Sequence, residues 1–346
     1  MPSSLASIIQ AGTKLWLDSV DPELVPINRQ FGATGATSNP AIISSLIKSG
    51  RYNSQLQSLI SEQGLSGHNA AWTLTDQVVT AAQQEFLSVW EATKGDDGYV
   101  SFEVDPLLEA ADNPLSHAER VQQYIQLGTH WSLGHKNRMI KVPATPAGLD
   151  AIEELAARSI PLNVTLLFTM RQYQAARDAI WRGAQRLESQ EKFKSVYSIF
   201  ISRVDVYTAD EVPQLSAAAQ GEVGLLNAKL LWQDNQQFWQ QRPTPLKQEI
   251  VFASTGTKNA NDPPWKYVAA LVGSDIQTNP PETNEAVEAS GQIFPRTIDR
   301  LPPSKVIDEI TSAVDMQQLE SQLMREGVEK FAKPQQALLA LINESS

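Results

Sequence analysis

The chain has 346 residues, 28 basic and 39 acidic side chains for a formal net charge of −11, and no cysteine. That length suits one large domain or two smaller ones. The acidic balance argues against non-specific nucleic-acid binding, and the missing cysteines exclude disulfides, thiolate metal sites and cysteine nucleophiles. Four histidines (His68, His117, His130 and His135) stand at no metal-ligand spacing, so no metal is expected. No apolar run approaches the roughly 20 residues that span a bilayer. The start of the chain lacks the basic-then-apolar pattern of a secretory signal, so the cytoplasm is the expected location and no membrane is expected as a partner.

In chain order, residues 2–12 read as a short amphipathic helix and 14–18 as the first strand, ending in Asp18. Residues 31–40 are a small-residue strand and turn, closed by Asn39-Pro40. Helical periodicity follows over 41–60, with Ile42, Ile43, Leu46 and Ile47 on one face, and again over 70–93. A strand over 99–104 carries Glu103, and 116–133 is helical. The next strand holds Met139-Ile140-Lys141-Val142, before a helix over 148–158. Strand 160–168 leads to helix 170–187, and strand 196–203 to mostly helical residues over 208–241. Strand 249–254, helix 264–271, strand 275–279 and helices over 304–343 complete the chain.

Single strands alternating with helices imply a parallel sheet covered by helices. Eight strands in this order fit an α/β protein of the (β/α)8 TIM barrel type with additional helices, mostly C-terminal. A doubly wound sheet competes, but its Gly-rich phosphate fingerprint after the first strand is missing. With no repeat, low-complexity segment or linker, residues 1–346 are expected to form a single barrel domain.

Lys141 breaks an apolar run, where an uncompensated ammonium costs several kcal/mol. A lone Lys in such a run is most often a strand-end side chain snorkelling to solvent. At the end of a barrel strand it has another option. There it points into the catalytic mouth, where desolvation turns an amine into a nucleophile toward carbonyls. Polar residues at the other strand ends support that option. Asp18, Asn39, Glu103, Asn163, Thr165, Ser198, Arg203 and Ser254 all fall in or at the C-terminal ends of predicted strands. Each has a bland alternative: Asp18 as a cap, Asn39 as a turn former, Arg203 as the salt-bridge partner of Asp205. Together with Lys141 they suit Schiff-base chemistry. The amine attacks a ketone, Glu103 and Thr165 hold a water that shuttles protons, and Asp18 takes the proton of a hydroxyl beta to the iminium. Asn39, Asn163 and Ser198 orient hydroxyls, and Arg203 offers a fork for a phosphate.

These segments resemble the transaldolase family. The resemblance is carried by Leu15-Trp16-Leu17-Asp18, Thr37-Ser38-Asn39-Pro40, Val100-Ser101-Phe102-Glu103-Val104, Ile140-Lys141-Val142-Pro143-Ala144-Thr145, Asn163-Val164-Thr165-Leu166-Leu167-Phe168 and Ser254-Thr255-Gly256-Thr257-Lys258-Asn259. It implies a cofactor-free class I aldolase-type barrel that acts on sugar phosphates in the non-oxidative pentose phosphate pathway. A dihydroxyacetone unit would pass from fructose 6-phosphate or sedoheptulose 7-phosphate to erythrose 4-phosphate or glyceraldehyde 3-phosphate. The resemblance puts the Schiff base on Lys141, acid–base work on Asp18, and the water relay on Glu103 and Thr165. It puts the three-carbon unit on Asn39, Asn163 and Ser198, the phosphate on Arg203, and Lys258 where shorter relatives use a second phosphate Arg. The alternatives are a fructose-6-phosphate aldolase-like lyase and a catalytically silent sugar-phosphate binder. The small aldolases resemble the same motifs but carry Gln at the Glu103 position and Tyr at the Phe200 position. Phe200 shares a strand face with Ser198. A homodimer is an expectation the sequence leaves open.

Overall fold

The computed structural model describes residues 3–344. Eight strands form a closed barrel in chain order, every neighbouring pair parallel. They are β1 (Lys14–Leu17), β2 (Ala33–Thr37), β3 (Val100–Glu103), β4 (Arg138–Pro143), β5 (Leu162–Leu167), β6 (Ser195–Phe200), β7 (Glu249–Ala253) and β8 (Ile276–Asn279). Helices follow each strand and cover the outside, as the alternating pattern requires. The outward residues of the strands, such as Ile140, Val142, Val164, Ile199 and Phe252, pack against the helices in a continuous apolar layer.

The period of two sorts the inward residues into levels. Trp16, Tyr99, Met139, Val196, Val251 and Ile276 form an apolar cluster inside the barrel. Gly35 makes room for it, since a Cβ there would sit 2.6 Å from the Trp16 indole nitrogen. Two residues further along the same strands stand Asp18, Lys141, Ser198 and Thr278. The interior therefore changes from apolar to polar toward the C-terminal ends of the strands.

Several elements differ from the sequence reading. The helix expected over 41–60 is two helices, Pro40–Lys48 and Asn53–Ser61, because Gly50 adopts a left-handed φ of 81° between them. Helices Leu24–Gln30 and Pro281–Ala289 were not anticipated; each begins near a proline that suits a first helical turn. The strand expected over 196–203 ends at Phe200. Ser202–Glu211 is already helical, so Arg203 sits in a first helical turn rather than on a strand. The apolar run through Ile201 hid that boundary. The helical stretch expected over 208–241 is interrupted by non-helical residues between Glu211 and Val223. The final helices are Ser304–Ala313 and Met316–Glu344. The last one contacts Pro40–Lys48 and the 3-10 turn Pro106–Glu109 on one side of the barrel mouth and Ser202–Glu211 on the other. It therefore spans the mouth.

Candidate active site

The C-terminal ends of the strands enclose a cavity of about 590 Å³, inside the roughly 300–1,000 Å³ usual for small-molecule sites. Its lining includes Asp18, Asn39, Lys141, Thr165, Ser198, Phe200, Arg203, Ser254 and Lys258. Nine of the eleven sequence-predicted positions thus meet in one chamber. Glu103 and Asn163 stand just behind its wall.

Lys141 lies on β4 beside Glu103 on β3, in register. Its Nζ is 3.0 Å from Glu103 Oε2 and donates to the Ser38 carbonyl at 2.9 Å. Both side chains are about 5% exposed, so this is a buried ion pair that opens on the cavity only through Lys141. Burial pushes the Glu103 carboxyl up, against the pull of Lys141. Asp18 follows β1. Its Oδ1 accepts from Thr37 Oγ1 at 2.9 Å, and that hydroxyl also lies 2.9 Å from Thr278 Oγ1. Burial raises Asp18 as well, opposed by Lys141 and by the Thr37 hydrogen bond. Two carboxyls that hold protons more readily than usual thus flank one amine, a pattern suited to proton transfer.

The remaining residues divide by what they already touch. Asn39 caps the helix Pro40–Lys48, its Oδ1 accepting from the Ile42 amide at 3.0 Å. The turn role and a place on the cavity wall are compatible, because capping uses only the oxygen. Asn163 is fully buried. It accepts from Ser198 Oγ at 2.7 Å and donates to Ser101 Oγ at 2.9 Å, so it orients Ser198 from below. Thr165 Oγ1 is buried without a hydrogen-bond partner among the described residues. Ser254 adopts a left-handed φ of 57°, and its Oγ lies 2.8 Å from Ser202 Oγ. That conformation is uncommon for a non-glycine residue and puts backbone strain on the cavity wall.

Arg203 does not pair with Asp205. Asp205 instead accepts from the Gly224 amide at 2.7 Å and from the Tyr267 hydroxyl at 2.9 Å. The Arg203 guanidinium lies 4.8 Å from the Phe200 ring centroid, and its buried Nη1 has no acceptor among the described residues. An ionised group left this way is costly unless an anion completes it. Phe200 also meets Phe168 edge-on at 5.6 Å. Lys258 is exposed on the rim.

The sequence reading missed Thr37 and Thr278, which buttress Asp18, and Leu323, Glu326, Lys330 and Phe331 of the last helix, which line the cavity. Thr37 lay within a segment already singled out. Nothing in the local sequence marked the helix residues. Among the described residues no group of His, Asp or Glu is arranged to hold a metal, and no helix is long and apolar enough to cross a membrane.

A parallel (β/α)8 barrel with a buried lysine and two carboxyls at its mouth belongs to the class of barrels that suit covalent chemistry on a carbonyl. The family described as Transaldolase/Fructose-6-phosphate aldolase matches residues 15–342. The chain is 32% identical over 365 residues to a protein named Transaldolase from Thermobifida fusca (strain YX), covering 98% of this chain and 97% of that one. It is 32% identical over 364 residues to the Transaldolase of Mycobacterium leprae (strain Br4923), covering 97% and 95% of the two chains. It is 28% identical over 379 residues to that of Trichodesmium erythraeum (strain IMS101), covering 98% and 97%. The chain belongs to the transaldolase/fructose-6-phosphate aldolase family.

Proposed function

We infer that this chain is a transaldolase that moves a dihydroxyacetone unit between sugar phosphates through a Schiff base on Lys141. The observation that carries the reading is the Lys141–Glu103 pair facing a cavity whose other wall offers an unsatisfied arginine. Glu103 takes the ammonium proton, which frees the amine to attack the ketone carbon of the donor. The carbinolamine then loses water to give an iminium, with Glu103 and the free Thr165 hydroxyl relaying the protons through water.

Asp18 takes the proton of the hydroxyl beta to the iminium carbon. The carbon–carbon bond breaks, its electron pair flows into the iminium, and an aldose phosphate leaves. The enamine that remains attacks the aldehyde of a second aldose phosphate, and the same steps run in reverse. Ser198, held by Asn163, and the amide nitrogen of Asn39 orient the hydroxyls of the three-carbon unit. Arg203 takes the phosphate, with Ser254 beside it and Lys258 on the rim.

Glu103 and Phe200 favour transfer over simple cleavage, since Phe200 brings no hydroxyl to activate water in the chamber. The donors are fructose 6-phosphate or sedoheptulose 7-phosphate and the acceptors erythrose 4-phosphate or glyceraldehyde 3-phosphate. We read the chain as one domain acting in the cytoplasm, with a homodimer testable by light scattering. The test of the chemistry is borohydride reduction in the presence of fructose 6-phosphate, read by intact and peptide mass. A dihydroxyacetone-sized adduct on the Lys141 peptide is expected. A coupled assay with erythrose 4-phosphate should show transfer well above an acceptor-free control. No adduct, or an adduct on another lysine, refutes the reading.

A further inference from the structure

The last helix, Met316–Glu344, puts one face over the barrel mouth. Leu323, Glu326, Lys330 and Phe331 line the main cavity, and Gln335 lines a small cavity beside Glu103. The spacing follows one helical stripe, running from the Arg203 side of the mouth to the Glu103 side. Gly327 lets the helix come close. A Cβ there would meet Leu166 Cδ2 at 2.9 Å and Arg203 Nη1 at 3.5 Å. Leu166 itself holds a left-handed φ of 57° at the end of β5. The contact is thus built from a glycine on one side and a strained strand end on the other.

Phe331 is what this approach delivers to the site. It is buried, its ring centroid lying 5.6 Å from Lys141 Nζ and 6.0 Å from the Arg203 guanidinium carbon. Phe200 stands 4.8 Å from the same guanidinium. Two aromatic rings therefore flank the arginine, and one of them also faces the amine. A ring face attracts a cation but gives water no strong hydrogen-bond site. Beside the amine it tolerates an ammonium or an iminium while excluding solvent.

We propose that Phe331 is a specificity-determining residue that keeps the Lys141-bound three-carbon unit for transfer by shielding it from water. This rests on the Schiff-base reading above. The competing step is hydrolysis. The enamine carbon takes a proton to give the iminium, water adds to the iminium carbon and loses a proton, and the carbon–nitrogen bond breaks. Dihydroxyacetone and the free Lys141 amine result. No other reactant is required. Phe200 removes a hydroxyl that would activate such a water; Phe331 limits the further solvent that would protonate the enamine carbon, a step that transfer, served by the one relay water at Glu103 and Thr165, does not use.

The test compares wild type with Phe331→Ala, Phe331→Leu and Gly327→Ala. Two quantities are read: the borohydride-trapped adduct on Lys141, and the absolute rate of glyceraldehyde 3-phosphate release at saturating fructose 6-phosphate without acceptor. The absolute rate is needed because weakened acceptor binding alone would shift a ratio. The expected result is a trapped adduct in every variant and an acceptor-free rate raised on the order of tenfold in Phe331→Ala. Smaller rises are expected in Phe331→Leu, which restores part of the volume without a ring, and in Gly327→Ala, whose methyl must displace the Leu166 side chain or the helix that carries Phe331. An unchanged or lower rate in a folded Phe331→Ala that still traps the adduct overturns the proposal. So does loss of the adduct in that variant alone. If Phe331→Ala does not fold, wild-type rates in both other variants overturn it. Failure of wild type to trap on Lys141 would instead refute the underlying Schiff-base reading.

Discussion

The two ends of the barrel bury the same kinds of charged residue and treat them differently. At the N-terminal end Lys194, fully buried, lies 2.7 Å from Glu249 and 3.3 Å from Asp96, and donates to the Lys247 carbonyl at 2.6 Å. Lys14 adds a second contact to Glu249 at 2.9 Å. Burial alone would raise the Glu249 carboxyl, but its two lysines hold it below the usual carboxylate range. Burial also works against the Lys14 ammonium, yet Glu249, Asp97 and Asp96 keep its pKa raised. At the C-terminal end Glu103 has one lysine at 3.0 Å, and Asp18 has no ion pair within 4.0 Å among the described residues. There burial prevails and both carboxyls rise. Burial also lowers Arg203, against the pull of Asp18, Glu326 and Glu103. The lesson is that burial does not decide what a charged group does. The number of opposite charges in contact does: Glu249 has two lysines, whereas Glu103 has one and Asp18 none within 4.0 Å among the described residues. The cluster around Glu249 at the floor is saturated, while the mouth keeps two carboxyls that hold protons more readily than usual and an arginine nitrogen with no acceptor among the described residues.

The largest effect expected is on the chemistry of the mouth. Lys141→Met should lower turnover at least about a thousandfold while keeping the circular dichroism of the barrel. Glu103 would lose its ammonium, but a carboxyl already raised by burial takes up a proton instead of staying charged. The stability loss should therefore be smaller than for the matching change at the floor. Undiminished turnover would remove Lys141 from the mechanism.

The floor supplies that matching change. Lys194→Met should cost about 3–5 kcal/mol of stability, because it strips a buried partner from the Glu249 carboxylate. Urea unfolding measures this, and borohydride trapping on Lys141 should persist. A Lys194 variant as stable as wild type would mean that the floor cluster is not saturated in the sense described.

Arg203→Ala addresses the unsatisfied cation directly. It should cost on the order of 1.5–3 kcal/mol in the use of phosphorylated donors, with little change in stability and little effect on free dihydroxyacetone. Equal losses for both kinds of substrate would make Arg203 structural. Phe200→Tyr adds a hydroxyl to the same wall. It should raise acceptor-free cleavage of fructose 6-phosphate relative to transfer, with about 1–3 kcal/mol of stability lost if the hydroxyl finds no partner. A folded, adduct-forming mutant with an unchanged ratio would make Phe200 ordinary packing.

The smallest effect tests how far the floor's saturation extends. Asp275 accepts from Trp232 Nε1 at 2.9 Å and from the Ile250 amide at 3.0 Å. Burial, then repulsion from Glu249, pushes it from an ordinary 3.8 up to about 6. A carboxyl raised on folding binds its proton more tightly in the folded state. Its contribution is therefore full below about pH 4 and is lost as pH rises through about 6. Asp275→Asn should flatten the pH dependence of stability across that window by on the order of 1 kcal/mol. Urea midpoints between pH 4.5 and 7 would show it. An unchanged slope would place the titrating group elsewhere, with Asp205, also raised to about 6 by burial, the next to test.

Much of this was legible in the residues alone. Strand and helix periods are local properties, so eight strands alternating with helices could be counted, and a parallel sheet with covered faces follows; only the missing Gly-rich fingerprint favoured a barrel over a doubly wound sheet. Lys141 stood out because a charge inside an apolar strand requires a physical reason. The period of two put Ser198 and Phe200 on one face of their strand. Arg203 was found but misplaced, since the turn at Ile201 carries no Gly or Pro to announce it. The sequence determined which chemical groups stand at the strand ends. Only the tertiary structure decided their charge state and their cover, because both depend on residues far apart in the chain. Glu103 needs Lys141 from the next strand, Arg203 needs an acceptor that no described neighbour provides, and Phe331 reaches the amine only where Gly327 lets the last helix settle across the mouth.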